Sequence, residues 1–364
     1  MLRSRKIELE LVRFLEQAPL AIAPGLLIQA FERGQKIIDV SWGQTWSYYD
    51  LASLTKPLFS VMAVAWAYDQ GYVDINAPIK NWFGDQPYEG SALLKNLLNH
   101  TSDFADYAPM FKDFDPRIHC GSPGIEGAIR QNLKQLLQTI FKLPRREPGR
   151  AIYSDLGFLL LIPILEQIYK KDLKSIWKDE VLDRFYPGVT GLHFCEHNCP
   201  RFQKELYAPT ERCSWRGTLL QGEVHDEHAW LLGGVSTHAG LFGSIDDVSW
   251  AVLSLRAQML GFGKKVLRHK TSQIFFQRSI DSSLGDWTLG LMLPTVGSSS
   301  SGQFFSENSV GHLGFTGCSF WFDPIQDIIV VLLSNRVYFG RDNQEFKKWR
   351  PLLHDKVYEL LKKF

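Results

Sequence analysis

Apolar residues recur on one face between residues 4 and 17, with Ile7, Leu11 and Leu15 in line, so the chain is expected to open with an amphipathic helix. The period then changes. "GLLIQAFERGQKIIDVSWG" reads as two short strands around the turn at "RGQ", an antiparallel hairpin. From Ser53 to about Tyr68 the chain is rich in Ala, Leu, Val and Met, a helical run that ends before Gly71. Pro57 fits its first turn, where the missing N–H has no intrahelical partner anyway.

The middle, roughly 76 to 224, carries helical segments ("LLKNLLNHT", "NLKQLLQTIFKL", "LGFLLLIPILEQIYKKDL") separated by irregular loops. Strand patterns return in "TLGLML", "SVGHLGFTGCSFWFDP" and "DIIVVLLSN", before a closing helix at "KKWRPLLHDKVYELLKKF". Strands at both ends with helices between them predict an α/β (α+β) architecture: an antiparallel sheet flanked by helices, with a largely helical insertion. The expected division is 1–75 and 225–364 for the sheet-bearing domain and 76–224 for the helical one. There is no internal repeat, and "GSSSSGQ" at 297–303 reads as a flexible turn.

At 364 residues the chain exceeds what one core easily fills, which agrees with two structural regions. A formal charge of +1, from 40 basic and 39 acidic residues, offers no electrostatic reason to expect nucleic acid or an anionic membrane as partner. Five cysteines (Cys120, Cys195, Cys199, Cys213 and Cys318) are an odd number in a long chain, so a disulfide framework is not expected and a reducing compartment is. The N-terminus alternates charge with aliphatics instead of presenting an unbroken apolar stretch, so no export leader is read and a cytoplasmic location is expected. The segment after it carries Pro19 and Pro24 and is too short to span a bilayer. Neither cofactor nor metal is called for, and the oligomeric state is open.

The candidate chemistry lies in "YYDLASLTKPLFSVMAVAWAY". A serine hydroxyl is a poor nucleophile until a neighbouring base takes its proton. On a helix, Ser53 and Lys56 share a face, and the apolar run after Lys56 offers the desolvation that would lower a lysine pKa enough to make it a base. The free N–H groups of the helix start would favour negative charge developing at Ser53. The bland alternative is a surface lysine with its stem on the helix and its ammonium in water.

Beyond this stretch, "DLASLTKPL" resembles the nucleophile motif of the serine β-lactamase and penicillin-binding protein superfamily, in particular the branch with class C β-lactamases, DD-carboxypeptidases and related esterases. "PGRAIYSDLGFLLL" is similar to the second motif of that family, with Tyr153, Ser154 and Asp155. "VGHLGFTGCSFWFDP" is similar to the third, with His312, Leu313 and Gly314. "LLNHTSDF" and "GEVHDEHAWLLGGVSTHAGLF" look like connecting segments of esterase-like members, and the resemblance runs from about 24 to 335. It implies that Ser53 attacks a carbonyl to form an acyl-enzyme, Lys56 assists its deprotonation, and Tyr153 shuttles the proton and later activates water. It also implies an oxyanion hole from the N–H groups of Ser53 and Phe315, a donor of this kind being worth about 3–4 kcal/mol. Gly314 would let the strand approach the substrate closely.

Departures from the family pattern bear on the substrate. His312 stands where a lysine is usual, Leu313 replaces a threonine, and Asp155 replaces an asparagine. All three weaken recognition of an anionic substrate. The expectation is a serine hydrolase, a carboxylesterase on small or medium acyl esters, with a DD-peptidase or weak β-lactamase as the enzymatic alternative. A catalytically silent binding module is the third reading. His225, Asp226 and Glu227 read as a turn network rather than a metal or acid–base cluster. His193, Cys195, His197 and Cys199 match no usual zinc spacing and read as loop residues. The tryptophans Trp42, Trp46, Trp215, Trp230, Trp287 and Trp321 are core candidates, of which one or two would line an acyl pocket.

Overall fold

Strands Gly25–Glu32 and Gln35–Gly43 pair antiparallel about a turn in which Arg33 and Gly34 take φ of 51° and 76°. Two successive positive φ values match the twist of closely linked strands, so the hairpin forms where "RGQ" predicts it. In the computed structural model, which describes residues 2–363 other than 20, 85, 87, 117–120 and 264, the sheet grows from this hairpin. Ile328–Ser334 pairs with Gly25–Glu32, Ser319–Asp323 comes next, and Val310–Leu313 lies outermost, all antiparallel. The five-stranded sheet therefore draws on both ends of the chain.

Side chains alternate across it. Leu26, Ile28, Val330 and Leu332 face the terminal helices Leu2–Leu15 and Glu345–Lys363, packing with Ile7, Leu11, Trp349 and Val357. Leu27, Phe31, Ile329 and Val331 face the other way, into the apolar cluster that holds Val248 and Val252 of helix Ile245–Leu260. That cluster continues without a break into the helical part of the chain, through Leu97, Leu136, Phe158 and Leu165. It includes helices Leu94–Leu98, Ile125–Lys142, Asp155–Leu159 and Leu161–Tyr169. Among the described residues no helix is long and apolar enough to cross a membrane.

Three expectations are corrected. "TLGLML" is a turn, not a strand: Gly290 takes φ of 105° and lies so close to Val61 that a Cβ would sit 2.2 Å from its methyl carbon. Only Met292 pairs there, bridging Gly311 on the edge strand. The helix at Ser53 is not regular either. It begins as a 3-10 turn, Ala52–Leu54, continues as a π-helical turn, Lys56–Val61, and becomes α-helical at Met62–Asp69. Such π turns cluster at functional sites. The cysteines are also not all thiols. Cys199 is disulfide-bonded, while Cys195, Cys213 and Cys318 are free and buried, and Cys120 lies outside the described residues.

Gly311 places the edge strand directly against its neighbour, where a Cβ would meet the Trp321 ring at 2.4 Å and the Phe320 carbonyl oxygen at 2.5 Å. A backbone oxygen cannot step aside. Gly311→Ala is expected to destabilise the fold by about 1–3 kcal/mol, read as a lower urea midpoint at unchanged slope.

Candidate active site

The turn that presents Ser53 is strained and tied down. Ala52 takes φ of 47°, a left-handed conformation that costs a residue with a Cβ about 1–2 kcal/mol. Its N–H donates to Asp50 Oδ1 at 2.8 Å, and its carbonyl accepts the Thr55 hydroxyl at 2.7 Å. Thr55 Oγ1 in turn accepts the Leu241 N–H at 3.1 Å. Asp50 is buried, its other carboxylate oxygen accepts the His225 N–H at 2.6 Å, and its carbonyl accepts the Thr316 hydroxyl at 2.7 Å. One aspartate thus joins the nucleophile turn to two distant segments.

Lys56 is completely buried and folds inward. Its ammonium donates to Ser53 Oγ at 3.0 Å, to Asp155 Oδ1 at 2.6 Å and to the His238 carbonyl at 3.0 Å. The surface alternative is excluded by this geometry, but the expected electrostatics are reversed. Burial alone would lower the Lys56 pKa; the Asp155 carboxylate and the Tyr153 oxygen outweigh it and raise the pKa above the usual lysine value. Lys56 is therefore an ammonium held by a carboxylate, with no lone pair to take a proton from Ser53.

Tyr153 stands beside this pair. The Lys56 nitrogen lies 4.9 Å from the centre of its ring. Burial of the hydroxyl pushes the Tyr153 pKa up to about 12, while the Lys56 charge and hydrogen bonding with Lys56 and Ser53 pull it down and Asp155 pulls it up. The tyrosine is gripped on both sides by His100, itself at φ of 62°. The Ile152 N–H donates to the His100 carbonyl at 3.0 Å, and the Ser154 N–H donates to His100 Nδ1 at 3.1 Å. The Ser154 hydroxyl oxygen then caps the following helix by accepting the Gly157 N–H at 3.0 Å.

The third segment closes the site from the sheet edge. His312 lies on strand Val310–Leu313, its ring 6.0 Å from that of Tyr153 and 6.1 Å from that of Trp287. Its Nδ1 is 2.9 Å from the Leu313 carbonyl, which can only accept, so the proton sits on Nδ1. Burial, then the Lys56 charge, brings the His312 pKa down to about 3, so the ring is neutral. Gly314 serves a different neighbour from the expected one: a Cβ there would lie 2.6 Å from the Leu51 carbonyl oxygen, not in open substrate space. It lets the turn carrying Phe315 pack onto the segment that carries Ser53. Trp287 stacks on Tyr153 at 5.8 Å, whereas Trp230 and Trp321 are core residues.

The charged residues behind the site are already paired: His225 Nε2 lies 3.3 Å from Glu211, which Arg341 links to Glu227. Asp226 caps helix Glu227–Leu231 and accepts from His238, His225 stacks on Phe315 at 5.5 Å, and Glu227 pairs with Arg341 at 2.6 Å. Glu211, Cys213 and Glu227 have potential ligand atoms within 4.8 Å of one another, but the Arg341 guanidinium binds both glutamates and so supplies the cation there. His193 binds Tyr207 and the Gly191 carbonyl, His197 binds Glu126, and Cys199 is in a disulfide, so the zinc arrangement is not formed by these residues. Asp50, His100 and His238 lie in segments that the resemblance covers, but their roles were not legible there, because each is defined by contacts made only on folding: Asp50 with the His225 N–H, His100 with the Ser154 N–H and His238 with Lys56.

A serine and an ammonium at the start of a helix, a tyrosine on a neighbouring loop and a sheet-edge segment against both are the arrangement of a β-lactamase/transpeptidase-type fold. A description of the beta-lactamase family matches residues 12–351, and the chain belongs to that family of serine hydrolases. It is 30% identical over 318 residues to a Salmonella agona protein described provisionally as a D-alanyl-D-alanine carboxypeptidase, covering 79% of this chain and 69% of that one. In structure it resembles EstCE1, a hydrolase with promiscuous acyltransferase activity, with a TM-score of 0.70 at 17% identity over 98% and 97% of the two chains. It also resembles the octameric penicillin-binding protein homologue from Pyrococcus abyssi, with a TM-score of 0.65 at 17% identity over 96% of this chain and 77% of that one.

Glu211 supplies a pH test of the wall behind the site. Burial alone would raise its pKa, but hydrogen bonds and charge from His225 and Arg341 bring it down to about 2. A carboxyl with a depressed folded-state pKa adds stability above its unfolded value, lost as pH falls through the folded one. Glu211→Gln is expected to be less stable than wild type at neutral pH, and the gap to close between 4.5 and about 2. Thermal unfolding across that range measures it; a constant gap would contradict the assignment.

Proposed function

We propose that this chain is a carboxylesterase acting on neutral esters of small or medium acyl groups, with Ser53 as nucleophile. The observation that carries the reading is the charge state of the wall: His312 is neutral, and the ammonium that touches Ser53 is already ion-paired with Asp155. Neither offers a free positive charge to a substrate carboxylate. Exposed apolar side chains of Ile152, Leu284, Phe315 and Tyr107 stand on the segments around the site, which suits an uncharged acyl chain.

In this reading the reactive form carries Tyr153 as the phenolate, its proton lost to solvent beforehand; Ser53 Oγ attacks the ester carbonyl as that phenolate takes the serine proton, because Lys56, protonated, cannot. The Lys56 charge stabilises the tyrosine oxygen while it is anionic. The new oxyanion faces the N–H groups of Ser53 and Phe315, neither of which donates to a protein acceptor among the described residues. Tyr153 returns the proton to the departing alkoxide, and an acyl-enzyme remains on Ser53. The phenolate then takes a proton from a water molecule that attacks the acyl carbon, and passes it to the departing Ser53 Oγ, so that the acid is released and the serine hydroxyl restored.

A second reading, a DD-carboxypeptidase, draws support from the similarity to the Salmonella protein and from the Lys347 ammonium 5.9 Å from the Phe315 ring, a charge that could meet a carboxylate. Intact mass after incubation with a penicillin separates the two: a persistent adduct absent from Ser53→Ala supports the peptidase, and no adduct with rapid ester turnover supports the esterase. Ser53→Ala is expected to lower hydrolysis of p-nitrophenyl butyrate by at least about a thousandfold. Full activity in that variant would sink both.

Asp155→Asn tests the electrostatics. Removing the carboxylate takes away a charge that raises the Tyr153 pKa and leaves the Lys56 charge facing the tyrosine unopposed. The ascending limb of kcat/KM against pH is expected to move to lower pH. A shift to higher pH would mean that Asp155 holds Lys56 in place more than it opposes it.

A further inference from the structure

The third acceptor of Lys56 comes from a segment that nothing else in the reaction uses. Residues 236–240 run between the nucleophile helix and the helix after Tyr153. The Ser60 hydroxyl donates to the Thr237 carbonyl at 2.5 Å, the Thr237 hydroxyl donates to the Phe158 carbonyl at 2.6 Å, and the His238 carbonyl faces Lys56. Gly240 closes the strap at φ of 116°, where a Cβ would meet the Gly234 carbonyl oxygen at 2.3 Å. The His238 ring is buried and bonded at both nitrogens, Nδ1 to Ser236 Oγ at 2.8 Å and Nε2 to Asp226 Oδ1 at 2.8 Å. The same Asp226 oxygen accepts the Ala229 N–H at 2.8 Å, so the carboxylate is fixed by the helix it caps.

Serine, histidine and aspartate in series resemble a second hydrolytic triad, but Ser236 is fully buried and no substrate carbonyl could reach it. The series ends instead on a backbone carbonyl that binds Lys56. We infer that the Asp226–His238 pair is a positioning element for Lys56: anchored on its helix, it holds the strap so that the His238 carbonyl completes the ammonium's three hydrogen bonds. The inference rests on the reading of Ser53 and Lys56 as the reacting pair. An ammonium that loses one of three fixed acceptors is free to swing, and both Ser53 and Tyr153 depend on where it sits.

Two readouts test this. The first is the rate at which a fluorophosphonate adds to Ser53, followed by intact mass. The second is the titration of Lys56 itself, observed in protein labelled with 15N at the lysine Nζ and identified by Lys56→Arg. Other groups facing Lys56 are Asp155, Tyr153, His100 and His312, and those facing Asp226 are His238, His228, Asp50 and Tyr107. All are unchanged in the variants except the one replaced.

His238→Ala and Asp226→Ala are expected to label about a hundredfold more slowly, the scale of an ångström-size misplacement. In both, Lys56 should titrate at lower pH than in wild type, since an acceptor of its proton is lost. Asp226→Asn keeps an oxygen that accepts from both His238 and Ala229, and is expected to stay close to wild type in both readouts. A purely structural role would lower the labelled fraction and leave the Lys56 midpoint where it was. If His238→Ala does not fold, His238→Asn and Asp226→Ala carry the comparison. Wild-type labelling and midpoint in the alanine variants overturn the inference, as does an Asp226→Asn defect equal to that of Asp226→Ala. If wild type itself fails to label, the hydrolase reading falls, and the Lys56 midpoint still decides the positioning role.

Discussion

An ammonium taken out of water costs several kcal/mol unless its protons meet fixed acceptors, and at Lys56 three such acceptors converge from three parts of the chain. Ser53 is three residues back on the same helix, Asp155 starts the helix after Tyr153, and His238 lies on a strap well over a hundred residues later. If any one of these segments were displaced, a buried charge would be left short of a partner. The site is therefore coupled to the packing of the whole fold.

That coupling also decides which residue can do which chemistry. A lysine desolvated without a carboxylate could serve as a neutral base. Beside Asp155 it stays charged, and its part becomes that of an electrostatic partner for Tyr153 and a hydrogen-bond donor to Ser53 Oγ. The exchange of asparagine for aspartate relative to the family pattern thus does more than recolour the substrate wall; it sets the protonation state at the centre. His312 follows the same logic from the other direction. Buried near a positive charge, an imidazole gives up its proton, so the third segment presents a neutral ring.

Around the reacting groups, the backbone is held by side chains with no chemistry of their own. Asp50 joins the Ser53 turn to the His225 and Thr316 segments, and His100 grips the peptides on either side of Tyr153. The backbone is constrained at both places: Ala52, whose N–H Asp50 accepts, and His100 both have left-handed φ. Strain of this kind persists only where surrounding bonds over-determine the conformation, and here the bonds in question are the ones that aim Ser53 and Tyr153.

Much of this was legible along the chain. The hairpin at "RGQ", the helical run after Ser53, the late strands and the terminal helices follow from local periodicity and turn chemistry, which need only near neighbours. The spacing of Ser53 and Lys56, with the similarity of the Tyr153 and His312 segments to known motifs, was enough to nominate the site. What periodicity could not supply was the turn at Gly290, because its form depends on Val61, or the strap at His238, because its partner Asp226 belongs to a different loop. Nor could sequence give the charge on Lys56. A pKa depends on which groups stand within a few ångströms after folding, and the apolar run that promised a neutral amine is outweighed by one carboxylate brought in from the loop of Tyr153. The sequence by itself determined the elements and the reacting residue types, since these rest on local interactions; the tertiary structure alone decided their protonation and alignment, since these rest on contacts between residues far apart in the chain.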